Sequence, residues 1–222
     1  MIRVLIADDH AIVRQGLKQI VAETSDIVVT GEAENCDEAE ELIRENDYDA
    51  VVLDISMPGK GGLETLKQVK AFKRDVPILV LSIHPEEVFA LRAFRSGASG
   101  YLTKQSAPEE LIGAIRKISS GAKYITPVFA ERLASYVAND VHKPLHASLS
   151  DREYQIMSML AAGNSVRDIG AELNLSIKTV STYRYRLMRK LHLKTNVELT
   201  HYALNNNLHL EREMHSRNKH VN

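Results

Sequence analysis

The sequence has one cysteine, no long apolar run and almost no net charge. The single Cys36 excludes an intrachain disulfide framework and a cysteine-rich zinc site. No apolar run approaches the roughly 20 residues that span a bilayer, and the first run meets Asp8 and Asp9 at once. We therefore expect a cytoplasmic protein with neither a membrane span nor a secretory signal. A formal net charge of −1 over 222 residues, taken alone, argues against a nucleic-acid-binding protein.

The small net charge conceals an uneven distribution along the chain. Residues 1–124 carry 15 basic and 20 acidic side chains, whereas residues 148–222 carry 11 basic and 7 acidic ones. The net charges of these two parts are therefore −5 and +4, and residues 125–147 between them are neutral. An acidic part joined to a basic part suggests two tasks in one chain, although sampling alone also produces swings of this size.

The first 120 residues alternate between short apolar runs and stretches with helical spacing. The predicted strands are residues 2–7, 27–33, 50–53, 78–82 and 100–102. The predicted helices are residues 11–23, 37–46, 63–72, 86–96 and 108–120, the last of them capped by Ser106. Five strand–helix units in this order predict an α/β fold with a doubly wound, five-stranded parallel sheet.

The rest of the chain reads as a linker followed by a small all-α region. A short helical stretch at 129–137 precedes a segment of linker composition. Further helices are predicted to open at Ser150, Ser165 and Ser176, and a fourth covers about 195–205. The predicted organisation is a first domain at 1–121, a linker at 122–147, a second domain at 148–208 and a disordered tail at 209–222.

Polar side chains stand where the predicted strands end. Asp8 and Asp9 follow the first strand, Asp54 the third, Ser82 ends the fourth, and Lys104 follows the fifth. Ligands bind beyond the carboxyl ends of the strands in such a sheet, so we expect these groups in one crevice. Three carboxylates repel one another unless a cation lies between them, and oxygen ligands suit Mg²⁺. A carboxylate beside such an ion can attack phosphorus and become an aspartyl phosphate.

About residues 1–120 resemble the receiver domain of bacterial two-component response regulators. The resemblance rests on residues 4–10, 52–59, 81–82 and 100–104 in combination. It implies that a sensor histidine kinase phosphorylates Asp54. It also implies Mg²⁺ held by Asp9, Asp54 and the backbone carbonyl of Ser56, with Asp8 behind them or acting through a water molecule. Further residues assigned by the resemblance are Lys104, which would bind the phosphoryl group, and Ser82 with Tyr101, which would form a conformational switch.

The helix predicted at 177–191 has one apolar face and one basic face. Val180, Leu187 and Leu191 lie on the apolar side, and the helix contains no acidic residue. A short helix, a tight turn and this basic helix make a helix-turn-helix pattern, which suits the major groove of DNA. A generic three-helix bundle with a solvated basic face is the alternative.

About residues 148–208 resemble the LuxR-type (NarL/FixJ-type) DNA-binding domain. The resemblance rests on residues 149–153, 163–165, 168–170, 173–176, 179–180 and 189–191. It implies promoter DNA as the ligand and a homodimer on paired half-sites, for which the last helix either pairs two copies or merely closes the small core. The residues expected to contact DNA are Lys178, Thr179, Ser181, Thr182, Tyr185, Arg186 and Arg189.

The two resemblances together predict a DNA-binding response regulator, not an enzyme in the ordinary sense, whose phosphorylation at Asp54 controls transcription. A second hypothesis is a metal-dependent phosphatase or phosphotransferase that uses Asp54 as its nucleophile. Such enzymes of the haloacid-dehalogenase type need a second acid where Ser56 stands, which argues against this hypothesis. A third hypothesis is a protein-interaction module whose C-terminal helices bind another protein.

Overall fold

The chain folds into two units, Met1–His142 and Lys143–Asn222. The computed structural model describes residues 1–57, 61–83, 86–138, 145–206 and 208. The predicted tail at 209–222 and most of the sequence after the short helical stretch, residues 139–144, lie outside the described residues. Among the described helices, none has the length and the apolar character that a bilayer crossing requires.

Strands and helices alternate in the first unit. The strands are β1 (Ile2–Ala7), β2 (Ile27–Ala33), β3 (Ala50–Asp54), β4 (Ile78–Ser82) and β5 (Gly100–Thr103). The helices are α1 (Ala11–Ala22), α2 (Cys36–Glu45), α3 (Gly62–Phe72), α4 (Glu86–Arg95), α5 (Ala107–Ser119) and α6 (Pro127–Ala138). The sheet is parallel with the strand order β2-β1-β3-β4-β5. This order confirms the predicted doubly wound, five-stranded sheet, and its direction of winding reverses between β1 and β3.

The central strands are buried on both faces because helices cover both sides of the sheet. On one face Val4 and Ile6 of β1 pack with Leu17 of α1 and with Leu111 and Ile115 of α5. Burial of each such side chain is worth about 1.5–3 kcal/mol, so this face supplies much of the stability of the unit. The near-continuous apolar runs of β1, β3 and β4 are explained by this double burial.

The strand register brings the carboxyl ends of four strands to one edge. Ala7 pairs with Leu53, Asp54 with Leu81, and Ser82 with Thr103. Both β3 and β5 extend one residue beyond the predicted ends, which places Asp54 itself in the hydrogen-bonded ladder. The acid is therefore held by the sheet and not by a loose loop.

The predicted cap of the fifth helix is wrong in its detail. Ser106 precedes α5, but its backbone is already helical and its side chain makes no capping hydrogen bond. Instead the Ser106 hydroxyl donates to the backbone oxygen of Thr103 at 3.2 Å. The side chain thus closes the turn after β5, next to Lys104.

The second unit contains a 3₁₀ helix (Leu145–Ser148), α7 (Asp151–Ala161), α8 (Val166–Glu172), α9 (Ile177–Leu191) and α10 (Asn196–Asn205). The predicted caps are confirmed, since Ser150, Ser165 and Ser176 each accept a hydrogen bond from the backbone three residues on. The turn between α8 and α9 is tight, because a Cβ on Gly170 would lie 2.9 Å from the Leu175 oxygen. The unit is a helical bundle, as predicted.

Candidate functional site

Three carboxylates meet at the carboxyl edge of the sheet. Asp8 and Asp9 follow β1 and Asp54 ends β3, and together with His10 they place possible ligand atoms within 4.8 Å of one another. Asp8 and Asp54 are fully buried, whereas Asp9 and His10 reach solvent. The structure therefore brings together the three acids that the sequence predicted. It adds His10, whose place directly after Asp9 was the only signal for it in the sequence.

A single ammonium group lies between two of these acids. The Lys104 Nζ atom is 2.7 Å from Asp8 Oδ2 and 2.8 Å from Asp54 Oδ2. Burial disfavours the charged form of Lys104, but the attraction of Asp54 and Asp8 outweighs it, so the pKa of this ammonium is raised. The backbone N–H of Lys104 donates to the Ser82 oxygen at 2.7 Å, which fixes the residue against the end of β4.

The carboxyl group of Asp54 is held in one orientation. Lys104 donates to one oxygen, and the backbone N–H of Ser56 donates to Oδ1 at 2.7 Å. Burial raises the pKa of Asp54, and the charge on Asp8 acts in the same direction, while Lys104 opposes both. Three carboxylates lie around one ammonium, so a divalent cation would relieve the repulsion among the acids.

The oxygen-rich composition of the pocket fits a hard cation. The Asp9 Oδ1 atom is buried and receives no hydrogen bond from the described residues, and the Nδ1 atom of His10 lies 2.9 Å from it. The Ser56 hydroxyl is likewise buried without a hydrogen-bond partner among those residues. Carboxylate and carbonyl oxygens are the ligands that Mg²⁺ or Ca²⁺ takes in proteins.

The two residues assigned to a switch lie in neighbouring strands. Ser82 is the last residue of β4, directly after Leu81, which pairs with Asp54. Tyr101 lies in β5 opposite Val80. Both side chains are fully buried, so the ring of Tyr101 points into the unit and not into solvent.

Arg14 is a site residue that the sequence interpretation missed. Its Nη1 atom donates to the backbone oxygen of Asp8 at 2.7 Å, and its guanidinium also pairs with Glu34 and Glu32 at the end of β2. The Asp8 N–H donates to the Ala33 oxygen at 3.1 Å, so the Asp8 peptide is held from both sides. The signal in the sequence was a charged residue on the buried stripe of α1, where Arg14 is only 7% exposed.

The basic face of α9 is exposed. Six of the seven predicted contact residues are exposed, namely Lys178, Ser181, Thr182, Tyr185, Arg186 and Arg189. Thr179 is partly buried, and its hydroxyl shares a hydrogen bond of 2.7 Å with the capping Ser176. The Arg189 guanidinium lies 5.8 Å from the ring centre of Tyr185, close enough for a cation–π contact that restrains both side chains.

The opposite side of α9 is anchored to its neighbours. Val180 and Leu187 are fully buried. The ammonium of Lys190 lies 2.5 Å from the buried Glu153, the third residue of α7 and part of its capping box. Burial alone would raise the pKa of Glu153, but Lys190 and the cap hydrogen bonds lower it, so Glu153 is ionised at neutral pH. Glu153 thus ties the last turn of α9 to the first turn of α7.

Two family models match the chain, one for each unit. The model described as the response regulator receiver domain matches residues 4–116, and that of the bacterial regulatory proteins of the luxR family matches residues 147–203. Among curated proteins, the response regulator UvrY of Escherichia coli strain K12 is 42% identical over 209 residues, which cover 94% of this chain and 96% of UvrY. The response regulator GacA of Pseudomonas aeruginosa is 39% identical over 206 residues, which cover 92% of this chain and 96% of GacA.

Two solved structures are similar to this chain, one over part of it and one over most of it. A LuxR-family two-component response regulator from Aurantimonas is 37% identical with a TM-score of 0.58, over 63% of this chain and 99% of that one. RcsB from Salmonella enterica serovar Typhimurium, bound to the rprA promoter in the presence of the phosphomimetic BeF₃⁻, is 25% identical with a TM-score of 0.64. That match covers 90% of this chain and 97% of RcsB.

We expect Arg14→Met to weaken the binding of a divalent cation by about tenfold, the low end of what residues that hold metal ligands contribute. The reason is that Asp8 loses the donor on its backbone oxygen. Removal of a positive charge beside an acidic pocket would by itself strengthen cation binding, so the two effects have opposite signs. Calorimetric titration with magnesium chloride measures the difference.

Lys18→Met is the matched control for this substitution. Lys18 also lies on α1 and also pairs with Glu32, at 2.6 Å, but it makes neither a hydrogen bond nor an ion pair with Asp8. This control should bind the cation as tightly as the unchanged protein or more tightly. Equal or tighter binding by Arg14→Met would contradict the positioning role of Arg14.

Proposed function

Because the chain belongs to the two-component response regulators that join a receiver domain to a LuxR-type DNA-binding domain, we propose that phosphorylation of Asp54 controls its binding to promoter DNA. The observation that carries the proposal is the ion pair of Lys104 with Asp8 and Asp54 at the carboxyl edge of the sheet. We assign residues 1–121 to the receiver and 148–208 to the DNA-binding domain. The ranges that the two family models match support these boundaries. A DNA target implies that the protein acts in the bacterial cytoplasm.

Asp54 is the phosphoryl acceptor in this proposal, and a histidine kinase is the donor. An oxygen of the Asp54 carboxylate attacks the phosphorus of a phosphohistidine, a P–O bond forms, and the P–N bond breaks as the imidazole leaves and takes up a proton. The hydrogen bond from Ser56 holds one oxygen of Asp54, which leaves the other to react beside Lys104. The Lys104 ammonium can then pair with the phosphoryl oxygens.

Mg²⁺ is the cation that we infer for the pocket. Asp9, Asp54 and the backbone carbonyl of Ser56 would hold it, with Asp8 behind them. When bound, it neutralises charge on the phosphoryl group that is transferred. The charge excess of the pocket and the buried oxygen of Asp9 support this inference.

The switch proposed for the receiver uses Ser82 and Tyr101. The Ser82 hydroxyl can donate to a phosphoryl oxygen on Asp54, because Ser82 lies at the end of the neighbouring strand. When Ser82 moves towards the phosphoryl oxygen to make this bond, the Tyr101 ring has room in the interior, where it lies in this structure. Phosphorylation then favours the state with Tyr101 buried over a state with Tyr101 outside.

DNA contact through α9 is supported by its exposed basic face and by the RcsB–promoter complex among similar structures. Arg186 and Arg189 are suited to phosphates or guanine edges, and the hydroxyls of Ser181 and Thr182 to bases or phosphates. Lys178, Thr179 and Tyr185 complete the proposed contact set. The generic bundle and the protein-interaction module predict no strong salt dependence for duplex binding, which separates them from this proposal.

Two copies of the chain are proposed to bind paired half-sites through α10. Val197 and Leu204, which lie two turns apart on α10, are 67% and 49% exposed. Leu199 and Ala203 on the other side of the helix are fully buried and close the small core. The helix therefore has two exposed apolar side chains, with His201 between them, on the side that a second copy could cover.

Asp54→Asn should abolish phosphorylation by acetyl phosphate with Mg²⁺, because an amide cannot act as the nucleophile. Intact mass spectrometry measures the phosphoryl group, and Asp47→Asn, which changes an exposed acid, is the control. Full labelling of Asp54→Asn would refute the assignment. Repeated turnover of a small phosphate ester, lost in the same variant, would instead favour the phosphatase hypothesis.

Arg186→Ala should weaken binding to many DNA sequences alike and lower the salt slope by about one unit, as loss of one phosphate contact does. Fluorescence anisotropy at several salt concentrations provides both values. Arg184→Ala is the control on the same helix, since its guanidinium is held by Asn196 at 2.8 Å. If both substitutions lower the salt slope equally, DNA affinity depends on the total charge of α9 and not on its exposed face.

Val197→Glu should prevent two copies from binding together on a duplex with two half-sites, because it places a charge on the apolar face of α10. Analytical ultracentrifugation counts the chains on each duplex. Asn205→Glu changes an exposed residue of the same helix that lies away from the line of Val197 and Leu204, so it tests whether charge alone is responsible. One chain per duplex in the unchanged protein would contradict the pairing.

A further inference from the structure

His10 is the member of the acidic pocket to which the proposed function assigns no role. It follows Asp9 directly at the start of α1, and one of its ring nitrogens belongs to the same group of possible ligand atoms as Asp8, Asp9 and Asp54. Among the described residues, no second group of three or more histidine, cysteine or carboxylate side chains comes equally close together. The role of the imidazole follows from its contacts.

The backbone of His10 is fixed on both sides. Its N–H donates to Asp8 Oδ1 at 2.8 Å, and its carbonyl oxygen accepts the N–H groups of Val13 and Arg14 at 3.0 and 3.1 Å. His10 is the N-cap residue of α1, but its side chain makes no capping hydrogen bond. The helix therefore sets the position of the residue and leaves the ring available for another contact.

The ring of His10 lies against two carboxylates. Its Nδ1 atom is 2.9 Å from Asp9 Oδ1 and 3.4 Å from Asp8 Oδ1. The side chain of Asp8 is fully buried, whereas that of His10 is 62% exposed, so the imidazole reaches the pocket from the side that is open to solvent. An exposed ring can also turn without repacking the core.

The contact between His10 and Asp9 is not a hydrogen bond in this structure. The Asp9 Oδ1 atom has no hydrogen-bond partner among the described residues, although Nδ1 is only 2.9 Å away. A hydrogen bond requires the N–H to point at the oxygen, and that alignment is absent here. Two ligands of one ion show the same pattern, since each directs its lone pair at the ion and not at its neighbour.

The separation of the two atoms fits neighbouring ligands of a small cation. Ligand atoms about 2.1 Å from an octahedral ion lie about 3 Å apart when adjacent and about 4 Å apart when opposite. The 2.9 Å between His10 Nδ1 and Asp9 Oδ1 matches the adjacent distance. The whole group, whose ligand atoms lie within 4.8 Å of one another, needs only a small contraction to surround one ion.

A nitrogen ligand changes which ions such a pocket favours. Carboxylate and carbonyl oxygens alone suit Mg²⁺ and Ca²⁺. Imidazole suits divalent transition metals, and the affinity of a mixed site rises from Mn²⁺ through Fe²⁺ and Co²⁺ to Ni²⁺. Because Mg²⁺ readily keeps water in its remaining positions, loss of the imidazole should cost Mg²⁺ little affinity.

We propose that His10 is a further metal ligand, which coordinates through Nδ1 and raises the affinity of the pocket for divalent transition metals relative to Mg²⁺. The oxygen ligands remain Asp9, Asp54 and the Ser56 carbonyl, and the imidazole takes a place that water would otherwise fill. This requires the neutral ring with its proton on Nε2, so that the Nδ1 lone pair is available. The inference rests on the proposed function, because it needs the cation pocket around Asp54.

Pulsed electron paramagnetic resonance of the full-length chain tests the ligand directly. The probe is Mn²⁺ added below one equivalent, because a directly bound imidazole nitrogen couples to the electron spin of the ion. The unchanged protein should show this nitrogen coupling, and His10→Asn should bind Mn²⁺ without it. Asparagine suits an N-cap position, so the substitution should keep the start of α1 intact. Bound Mn²⁺ without nitrogen coupling in the unchanged protein would overturn the proposal, as would coupling that persists in His10→Asn.

Competition with Mg²⁺ measures the change in preference. Free Mn²⁺ gives a sharp spectrum that the bound ion does not, so the release of Mn²⁺ can be followed as Mg²⁺ is added. His10→Asn should release half of its Mn²⁺ at about tenfold less Mg²⁺ than the unchanged protein, the low end of what groups around a metal contribute to its affinity. An equal Mg²⁺ requirement would show that the imidazole has no part in the choice of metal, and the proposal would be wrong.

His192→Asn is the matched control. His192 is another exposed histidine, beyond α9 and outside the group of ligand atoms, and its left-handed backbone (φ 57°) accepts asparagine. The control should keep both the nitrogen coupling and the Mg²⁺ requirement of the unchanged protein. Loss of the coupling in His192→Asn would place the nitrogen elsewhere and overturn the proposal.

The same samples test the proposed function separately. If Mn²⁺ and Mg²⁺ bind and acetyl phosphate labels Asp54, but no nitrogen couples to Mn²⁺, only the role of His10 is wrong. If the ions bind but Asp54 is not labelled in the presence of Mg²⁺, the proposed function is refuted. If neither ion binds, both are refuted.

Discussion

The excess of carboxylates around one ammonium is the constraint on which the receiver depends. Asp8 and Asp54 are buried side by side with Lys104 between them, and Asp9 lies at the solvent edge. The folded chain keeps this unfavourable arrangement because the parallel sheet fixes each group by its backbone. Arg14 adds a second restraint, since it holds the Asp8 peptide from the side of α1. A bound divalent cation would relieve the repulsion that this crowding causes.

Most of the receiver site could be predicted from the sequence, because each site residue is marked by its immediate neighbours in the chain. Each site residue follows a short apolar run, and parallel strands bring their carboxyl ends to the same edge, so Asp54, Ser82 and Lys104 could be grouped before the fold was known. The roles of these groups came from the resemblance to receivers. The basic face of α9 was predicted in the same way, from the spacing of residues along one helix.

The contacts that could not be predicted join residues far apart in the sequence. Arg14 reaches Glu34 only because β2 lies beside β1, and no pattern within α1 shows that neighbour. The stacking of Phe94 on Phe129 depends on the chain's return to α4 after α5. Ser106 shows the opposite error, since a good local capping pattern was overridden by the turn after β5. Local propensity decides an element only where tertiary contacts do not compete for the same atoms.

The opposite charges of the two parts follow from the same chemistry of phosphate. A phosphoryl acceptor pocket needs spare carboxylates to hold a cation, whereas a helix that approaches DNA is favoured by an excess of basic side chains, and α9 has no acidic residue. The acidic receiver would repel DNA, but salt screens exposed charges beyond about 8 Å at physiological ionic strength. Because the two signs are segregated along the chain, each unit has the net charge that suits its own ligand. The total charge of −1 is the sum of the net charges of an acidic part and a basic part, and it describes neither unit.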